Sequence, residues 1–213
     1  STLFPYTTLF RSPIRRDLRS IQNEHAFVRR QFDWASVRIS DRIAYLTWRR
    51  VAGVHDTQRL YGYDAALKEL HLSTINLSEA TIEPFAETMR KYRVKALNAY
   101  PSAAYFMAKG LLEKGKTLPL TAVLTTSETL DPAQRKVIEK AFECPVFDYY
   151  GSAERVCYIH TCEKGSYHIL PEYGLTELIP ADAPNEDCCR VVATGFWNLA
   201  MPLIRYDIGD LVQ

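Results

Sequence analysis

The strongest constraint on the fold is an alternation of short apolar runs with longer amphipathic segments between residues 84 and 149. The runs 96–99, 122–125 and 146–149 have the length and composition of buried strands. Each run is preceded by a segment whose apolar residues recur at helical spacing. A parallel sheet with crossover helices requires this alternation. The sequence therefore predicts an α/β fold with a parallel sheet and flanking helices.

Capping residues predict where the helices of this region begin and end. Pro84 and Pro101 can each begin a helix, because proline in the first turn loses no hydrogen bond. Gly115 is suited to the carboxyl-terminal end of the second helix. Asp131 begins the third helix as a capping residue.

The flanking regions have a different character. A helix over residues 15–32 and a strand over 43–47 are predicted upstream. Beyond Glu154 the strands are separated by turn-forming residues, which favours a smaller antiparallel β subdomain. These strands are predicted at 167–170, 174–179 and 190–194. The predicted division of the chain is an α/β part over residues 13–162 and an incomplete β-rich subdomain over residues 163–213.

Composition excludes two classes of partner. The 26 basic and 25 acidic residues nearly cancel, so no strong overall charge favours nucleic acid or an anionic membrane. No apolar run approaches the roughly 20 residues that span a bilayer. Nothing resembles a secretion signal. We therefore expect a cytoplasmic protein that binds neither nucleic acid nor membrane.

Both ends of the chain are expected to be truncated. The segment 2–12, TLFPYTTLFRS, resembles the translation of a sequencing adapter, so we expect residues 1–12 to be an artefact. The natural chain would then begin near Pro13. At the other end, residues 211–213 continue a strand-like run without a terminating signal.

Three short polar segments lie at or after predicted strands. They are Thr126 to Glu128, Asp148 to Glu154, and Arg205 to Asp210. Strand ends are the usual positions of ligand-binding loops in open sheets. The second segment offers an aromatic ring for a base, a glycine for close backbone approach and a carboxylate for a divalent cation. An ordinary turn is the simpler interpretation of any one segment alone.

In their order and spacing, the three segments resemble the adenine, magnesium and ribose motifs of the adenylate-forming (AMP-binding) superfamily. The resemblance is closest to the phenylacetate-coenzyme A ligase branch, including relatives found with capsule-polysaccharide genes. It extends from about Arg15 to the end of the chain, and the three segments would converge on a single adenylate. Further matching phrases are Tyr100 to Ser102, Pro171 to Gly174, and Ala200 to Tyr206.

The resemblance assigns nucleotide binding to most residues of these segments. Ser127 and Glu128 would line the adenine pocket, and the ring of Tyr150 would stack on the base. Asp148 and Tyr149 would border the amino edge of the base. The remaining residues implied in nucleotide binding are Gly151, Ser152, Ala153 and Asp210.

Glu154 is the residue implied both in catalysis and in metal binding. Its carboxylate would hold Mg²⁺ against the phosphates, neutralising charge as pyrophosphate leaves. Asp210 would accept hydrogen bonds from the ribose hydroxyls. Relatives often carry Thr or Ser immediately before the motif glutamate. This chain has Ala153 there, so it lacks a hydroxyl that would contact phosphate or the acyl carboxylate.

The implied function is that of an ATP-dependent acid–thiol ligase that uses ATP, Mg²⁺ and coenzyme A. It would convert a small-molecule carboxylic acid to an acyl-adenylate and pass the acyl group to the coenzyme A thiol. The family's phosphate loop is expected upstream of Pro13 and its catalytic lysine beyond Gln213, so this fragment alone is expected to be inactive. The alternative is a nucleotide-binding or scaffolding remnant without ligase activity. A third interpretation, an unrelated α/β binding domain, requires three coincident motifs in the correct order.

Cys157, His160, Cys162 and His168 form a second candidate site. Thiolate and imidazole ligands in this number can build a tetrahedral zinc site. Their spacing matches no standard zinc signature. Ordinary unligated side chains are the simpler interpretation, and zinc is the alternative.

Overall fold

A computed structural model describes residues 14–47, 51, 59–181 and 188–212 of the chain. The segment 1–12, interpreted as an artefact, lies outside the described residues. The chain divides into two compact units. We call residues 29–150 and 160–168 the parallel-sheet unit. The antiparallel unit consists of the described residues within 1–28, 151–159 and 169–213.

The described residues contain four α-helices and eleven strands. The helices are α1 (Leu18–Trp34), α2 (Ile82–Lys91), α3 (Pro101–Glu113) and α4 (Pro132–Phe142). The strands are β1 (Ile43–Leu46), β2 (Tyr61–Asp64), β3 (Glu69–Leu72), β4 (Ala96–Ala99), β5 (Ala122–Thr126), β6 (Val146–Tyr150), β7 (Ile159–Thr161), β8 (Tyr167–Ile169), β9 (Gly174–Pro180), β10 (Cys189–Gly195) and β11 (Tyr206–Val212). None of the helices in this part of the chain is both long enough and apolar enough to cross a membrane.

The strands form two sheets. The larger has eight strands in the order β2-β3-β1-β4-β5-β6-β7-β8. Neighbours from β3 to β6 in this order pair in parallel, and β2 pairs antiparallel to β3. The smaller sheet is antiparallel, in the order β11-β10-β9. The predicted fold class, a parallel sheet with flanking helices followed by a smaller antiparallel sheet, is confirmed.

The core of the parallel-sheet unit is one apolar cluster formed by α2, α3, α4 and one face of the sheet. The strands β1, β4 and β5 turn every second side chain towards this cluster. Ala44, Leu97 and Val123, which are register partners on these strands, are examples and are fully buried. Because side chains alternate between the two faces of a strand, this burial fixes the strand register. The helices contribute Phe85, Met107, Leu111, Ile138 and Phe142.

Two of the predicted helix boundaries are confirmed in detail. Gly115 has a φ of 65°, and its N–H donates to the carbonyl of Leu112, while the N–H of Lys116 donates to Leu111. This pair of bonds is the Schellman motif, which glycine favours because it lacks a Cβ. Asp131 caps α4, since its carboxylate accepts hydrogen bonds from the N–H groups of the next turn.

The predicted start of α2 at Pro84 differs from the structure, where the helix begins at Ile82. Pro84 still lies within the first turn. The N–H groups of that turn have no partner inside the helix, so proline is tolerated at its third position as well as its first. Sequence analysis did not predict the short strands β2, β3 and β7.

Removing the cap of α4 should destabilise the parallel-sheet unit. Asp131 Oδ1 accepts the N–H of Ala133 at 2.7 Å and that of Gln134 at 3.3 Å. Asp131→Ala is expected to lower the free energy of unfolding by about 1 kcal/mol, measured by urea denaturation. Asp131→Asn should retain most of the stability, because asparagine caps equally well. An equal loss in both variants would contradict this assignment.

Candidate functional site

The first two motif segments begin at the same edge of the parallel sheet. Thr126, near the end of β5, is the register partner of Tyr149 in β6. The next residues, Ser127 and Tyr150, therefore follow side by side at the carboxyl ends of two neighbouring parallel strands. This edge is where ligands bind in open α/β sheets. Ser127 is exposed and Tyr150 is half-buried, so both are accessible.

Ser127 has an unusual backbone conformation, with a φ of 71°. Residues with a Cβ adopt this left-handed region at a cost in free energy, and such positions occur often at functional sites. Four other non-glycine residues with positive φ in the described chain lie at helix ends or in the β2–β3 turn. The two that remain, Arg155 and Arg205, lie beside Glu154 and Tyr206 in the other motif segments.

Glu128 has a structural partner that sequence analysis did not predict. Its Oε2 accepts the backbone N–H of Ser102 at 3.0 Å, in the first turn of α3. The N-cap residue of that helix, Tyr100, makes no side-chain capping bond. Glu128 thus supplies the missing cap from a loop far along the chain, and its negative charge suits the positive end of the helix dipole.

Asp148 is the buried centre of a hydrogen-bond network in the parallel-sheet unit. Its carboxylate accepts from the Thr125 hydroxyl and from the Tyr167 hydroxyl, both at 2.5 Å. Its backbone N–H donates to Thr161 Oγ1 at 2.7 Å. Burial is the main cause of a raised pKa at the Tyr167 phenol, and the hydrogen bond to Asp148 raises that pKa further. Tyr167 therefore keeps its proton and donates a hydrogen bond to Asp148. Asp148 therefore ties β6 to β5, β7 and β8.

Glu154 lies in the antiparallel unit, after the turn formed by Gly151 to Ala153. The Tyr206 hydroxyl donates to Glu154 Oε1 at 3.1 Å. Burial is the main cause of a raised pKa at the Tyr206 phenol, and the hydrogen bond to Glu154 raises that pKa further. Tyr206 therefore keeps its proton and donates the hydrogen bond to the carboxylate. Tyr206 belongs to a segment that the sequence resemblance includes, but sequence analysis gave it no role.

Asp210 lies on a bulge in β11. The pairing of β10 with β11 shifts between Arg190 and Val192, and Gly209 within the extra residues has a φ of 86°. Bulges redirect side chains and are common beside active sites. Asp210 is exposed there.

Glu154 and Asp210 both lie near one buried thiol of the antiparallel unit. Burial, together with the negative charges of Asp210 and Glu154, raises the pKa of Cys157 to about 12. Both carboxylates thus act on the same thiol of this unit. The structure brings together Ser127 and Tyr150 in one unit, and it places Glu154 and Asp210 in the other. Convergence of all three segments on one nucleotide stays a prediction.

The surroundings of Glu154 fit a divalent cation that is held largely by phosphates. A carboxylate has about four acceptor sites, so the bond from Tyr206 leaves capacity for a metal ion. Mg²⁺ is usually bound by one or two carboxylates together with substrate phosphates and water. No group of three acidic, histidine or cysteine side chains suited to a metal ion occurs within the described ranges.

Ser152 carries a hydroxyl beside the position where the chain departs from the resembled family. Its Oγ is buried and has no hydrogen-bond partner among the described residues. Buried hydroxyls are normally hydrogen-bonded. This oxygen lies next to the alanine that lacks a hydroxyl.

Three of the four residues of the zinc hypothesis lie in the parallel-sheet unit. His168 forms a hydrogen bond with Cys162, which lowers the pKa of the Cys162 thiol. Burial lowers the pKa of His160, whose ring packs edge-on against Trp34 with centroids 4.5 Å apart. No group of three histidine, cysteine or acidic side chains suited to a metal ion is found in the described part of this unit, and zinc at these residues stays the alternative hypothesis.

A cavity of about 570 Å³ lies elsewhere in the parallel-sheet unit, beside β2 and β3. Arg59, Asp64 and His71 are among the residues that line it. None of the predicted site residues lines this cavity. It is open to solvent and lies apart from the strand ends of β5 and β6, so we do not assign it to the candidate site.

The sequence of this chain is similar to part of a curated protein. No protein-family model matches the chain. Protein CapK from Staphylococcus aureus is 26% identical over 168 residues, which are 78% of this chain and 37% of CapK. The chain thus spans little more than a third of the length of that relative.

Solved structures of ligases share the fold. 2-Hydroxyisobutyryl-CoA ligase in complex with 2-HIB-AMP and CoA matches with a TM-score of 0.62 and 18% identity, over 91% of this chain and 44% of that chain. An acyl-CoA synthetase from Brucella canis matches with a TM-score of 0.57 and 13% identity, over 84% of this chain and 34% of that chain. At these identities the likeness establishes the fold. The chain covers less than half of each structure.

The thiols of Cys157 and Cys162 should differ in their reactivity towards an alkylating reagent. Cys162, whose pKa is lowered by His168, has more thiolate at about pH 7.5 than an ordinary cysteine, whereas Cys157 has almost none. We expect iodoacetamide to modify Cys162 well before Cys157, as measured by peptide mass spectrometry. His168→Asn should slow the modification of Cys162 and move its pH dependence upward. Equal rates at Cys162 with and without His168 would contradict the assignment.

Proposed function

We propose that the chain forms part of an ATP-dependent acid–thiol ligase of the adenylate-forming superfamily. The observation that carries the proposal is the placement of the motif residues. Ser127 and Tyr150 follow neighbouring parallel strands at the ligand-binding edge of the sheet. The fold is shared with a CoA ligase that was solved with an acyl-adenylate and CoA bound. The similarity to protein CapK of Staphylococcus aureus, at 26% identity, is consistent with this superfamily.

In this proposal the parallel-sheet unit binds the adenine base. The Tyr150 ring stacks on the base, and Ser127 and Glu128 line its pocket. Glu128 can contact a nucleotide while it caps α3, because a carboxylate accepts several hydrogen bonds. Asp148, buried beneath this edge, holds Tyr149 and Tyr150 in place through the hydrogen bonds that tie β6 to its neighbours.

Residues of the later two motif segments are proposed to bind the metal ion and the ribose. Glu154 would hold Mg²⁺ and Asp210 would accept hydrogen bonds from the ribose hydroxyls. The loop from Gly151 to Ala153 would approach the phosphates, with the Ser152 hydroxyl as a donor. Bound Mg²⁺ supplies positive charge that stabilises the phosphates as pyrophosphate leaves.

The proposed chemistry has two steps. An oxygen of the substrate carboxylate attacks the α-phosphorus of ATP, and the bond to pyrophosphate breaks. The thiolate of coenzyme A then attacks the acyl carbon, and AMP leaves with the electron pair of the broken bond. We further propose a cytoplasmic location and a phenylacetate-like, small-molecule acid as substrate.

Nucleotide binding tests the role of the tyrosine ring. Tyr150→Ala should weaken AMP binding by about 1–3 kcal/mol, because stacking on the base is lost. Tyr150→Phe keeps the ring and should bind AMP nearly as well as the unaltered chain. Isothermal titration calorimetry measures both. The proposal fails if the unaltered chain binds no adenine nucleotide, or if phenylalanine and alanine weaken binding equally.

A second variant tests the role of Glu154 in metal binding. Glu154→Gln preserves size but removes the negative charge that a divalent cation requires. Its affinity for MgATP should fall roughly tenfold or more, whereas AMP without Mg²⁺ should bind as before. Glu163→Gln, on an exposed turn, is the matched control and should change neither affinity. Equal losses for both nucleotides would argue against a metal ligand at Glu154.

A further inference from the structure

Glu24, on helix α1, is a buried acidic residue to which neither the motifs nor the proposed function gives a role. It is only 8% exposed, and among the described residues the only other buried acidic side chain is Asp148. Its carboxylate accepts hydrogen bonds from the Arg155 guanidinium and from the Tyr173 hydroxyl. All three residues belong to the antiparallel unit. Because a buried charge is costly unless it is paired, this carboxylate and the guanidinium depend on each other.

Arg155 immediately follows Glu154 and has a strained backbone. Its φ is 58°, a left-handed conformation that is unfavourable for a residue with a Cβ. Its N–H donates to the carbonyl of Ser152 at 3.2 Å, which closes the turn that carries Glu154. Strained conformations persist where surrounding contacts enforce them. The ion pair with Glu24 is one such contact.

A pair of glycines holds the other side of the same turn. Gly174 and Gly195 are register partners in β9 and β10. A Cβ added to Gly174 would lie 2.3 Å from the carbonyl oxygen of Val156, and one added to Gly195 would lie 3.3 Å from that of Arg155. The backbone at residues 155–156 therefore lies directly on this glycine pair, while the Arg155 side chain is held by Glu24.

We propose that Glu24 is a positioning residue, whose ion pair with Arg155 holds the turn that presents the Glu154 carboxylate. The backbone of Arg155 is fixed on the glycines, so its side-chain anchor sets the direction in which the chain leaves Glu154. Glu154 is thereby kept within hydrogen-bond distance of Tyr206. The part of this proposal that concerns a metal ion rests on the proposed function.

Other contacts hold α1 in place, so Glu24 can be altered without detaching the helix. Phe27 packs against the rings of Tyr158, Tyr173 and Trp197, with its closest centroid distance 4.9 Å, to Tyr173. The guanidinium of Arg19 lies 5.7 Å from the centroid of the Trp197 ring. These aromatic contacts remain in a Glu24→Gln variant.

Amide hydrogen exchange of the segment 151–156 tests the positioning role directly. In Glu24→Gln, the exchange of this segment should become several-fold faster, because Arg155 loses its charged partner and the strained turn opens more often. Tyr173→Phe removes a hydrogen bond from the same carboxylate but leaves the ion pair, so exchange should change little. Asp33→Asn, which breaks an exposed ion pair on the same helix, is the second control.

Two outcomes of this measurement would overturn the proposal. One is unchanged exchange at residues 151–156 in a folded Glu24→Gln variant, and the other is equal acceleration in Tyr173→Phe. Should Glu24→Gln fail to fold, Arg155→Gln breaks the same pair from the other side. Its exchange is judged by the same criteria.

Nucleotide affinities distinguish positioning from a general structural role. In Glu24→Gln, MgATP affinity should fall roughly tenfold or more, because the turn no longer holds the Glu154 carboxylate in place, and AMP affinity should stay within about twofold. A proportional loss for both nucleotides would show a structural role alone and would overturn the proposal. If the unaltered chain binds neither nucleotide, the proposed function fails, whereas the exchange result still decides whether Glu24 holds the turn.

Discussion

Parallel pairing of β4, β5 and β6 is the constraint on which the candidate site in the larger unit depends. Parallel strands present their carboxyl ends at one edge of the sheet, and residues that follow neighbouring strands are therefore neighbours in space. The apolar cluster beneath α2, α3 and α4 fixes this arrangement, since a slip of one residue would move Leu97 and Val123 away from the helices. Ser127 and Tyr150 owe their adjacency to this register.

Several carboxylates in the motif segments also stabilise the fold. Asp148 is buried and accepts hydrogen bonds from two hydroxyl groups. Glu128 caps α3, whose own N-cap residue makes no side-chain capping bond. A ligand role for either residue would be added to these duties, because each carboxylate has further acceptor sites. Mutations at these positions would therefore combine losses of binding and stability. Tyr150 and Glu154 are only partly buried, so substitutions there should disturb the core less.

Much of the fold follows from local patterns in the sequence. The helices and strands between residues 84 and 149 show strong periodicity and clear capping residues, and the structure agrees with them to within two residues. The strands β2, β3 and β7 were missed because they are four residues or fewer and carry glycine, histidine or acidic residues. Their pairing depends on neighbouring strands rather than on their own composition. The motifs predict roles for Glu154 and Asp210, and these roles stay predictions. No local pattern points to Tyr206 or Glu24, because their partners lie 52 and 131 residues away in the chain.

By itself, the sequence determined the fold class, the helix caps at Gly115 and Asp131, and the residue types that resemble a nucleotide-binding set. These features depend on periodicity and on side chains within a few residues of one another, which a linear pattern records. Only the tertiary structure decided that Glu128 caps α3, that Asp148 ties β6 to its neighbours, and that Arg155 is paired with Glu24 on a distant helix. Each of these contacts joins residues far apart in the chain, and burial, register and desolvation select them only once the chain has folded.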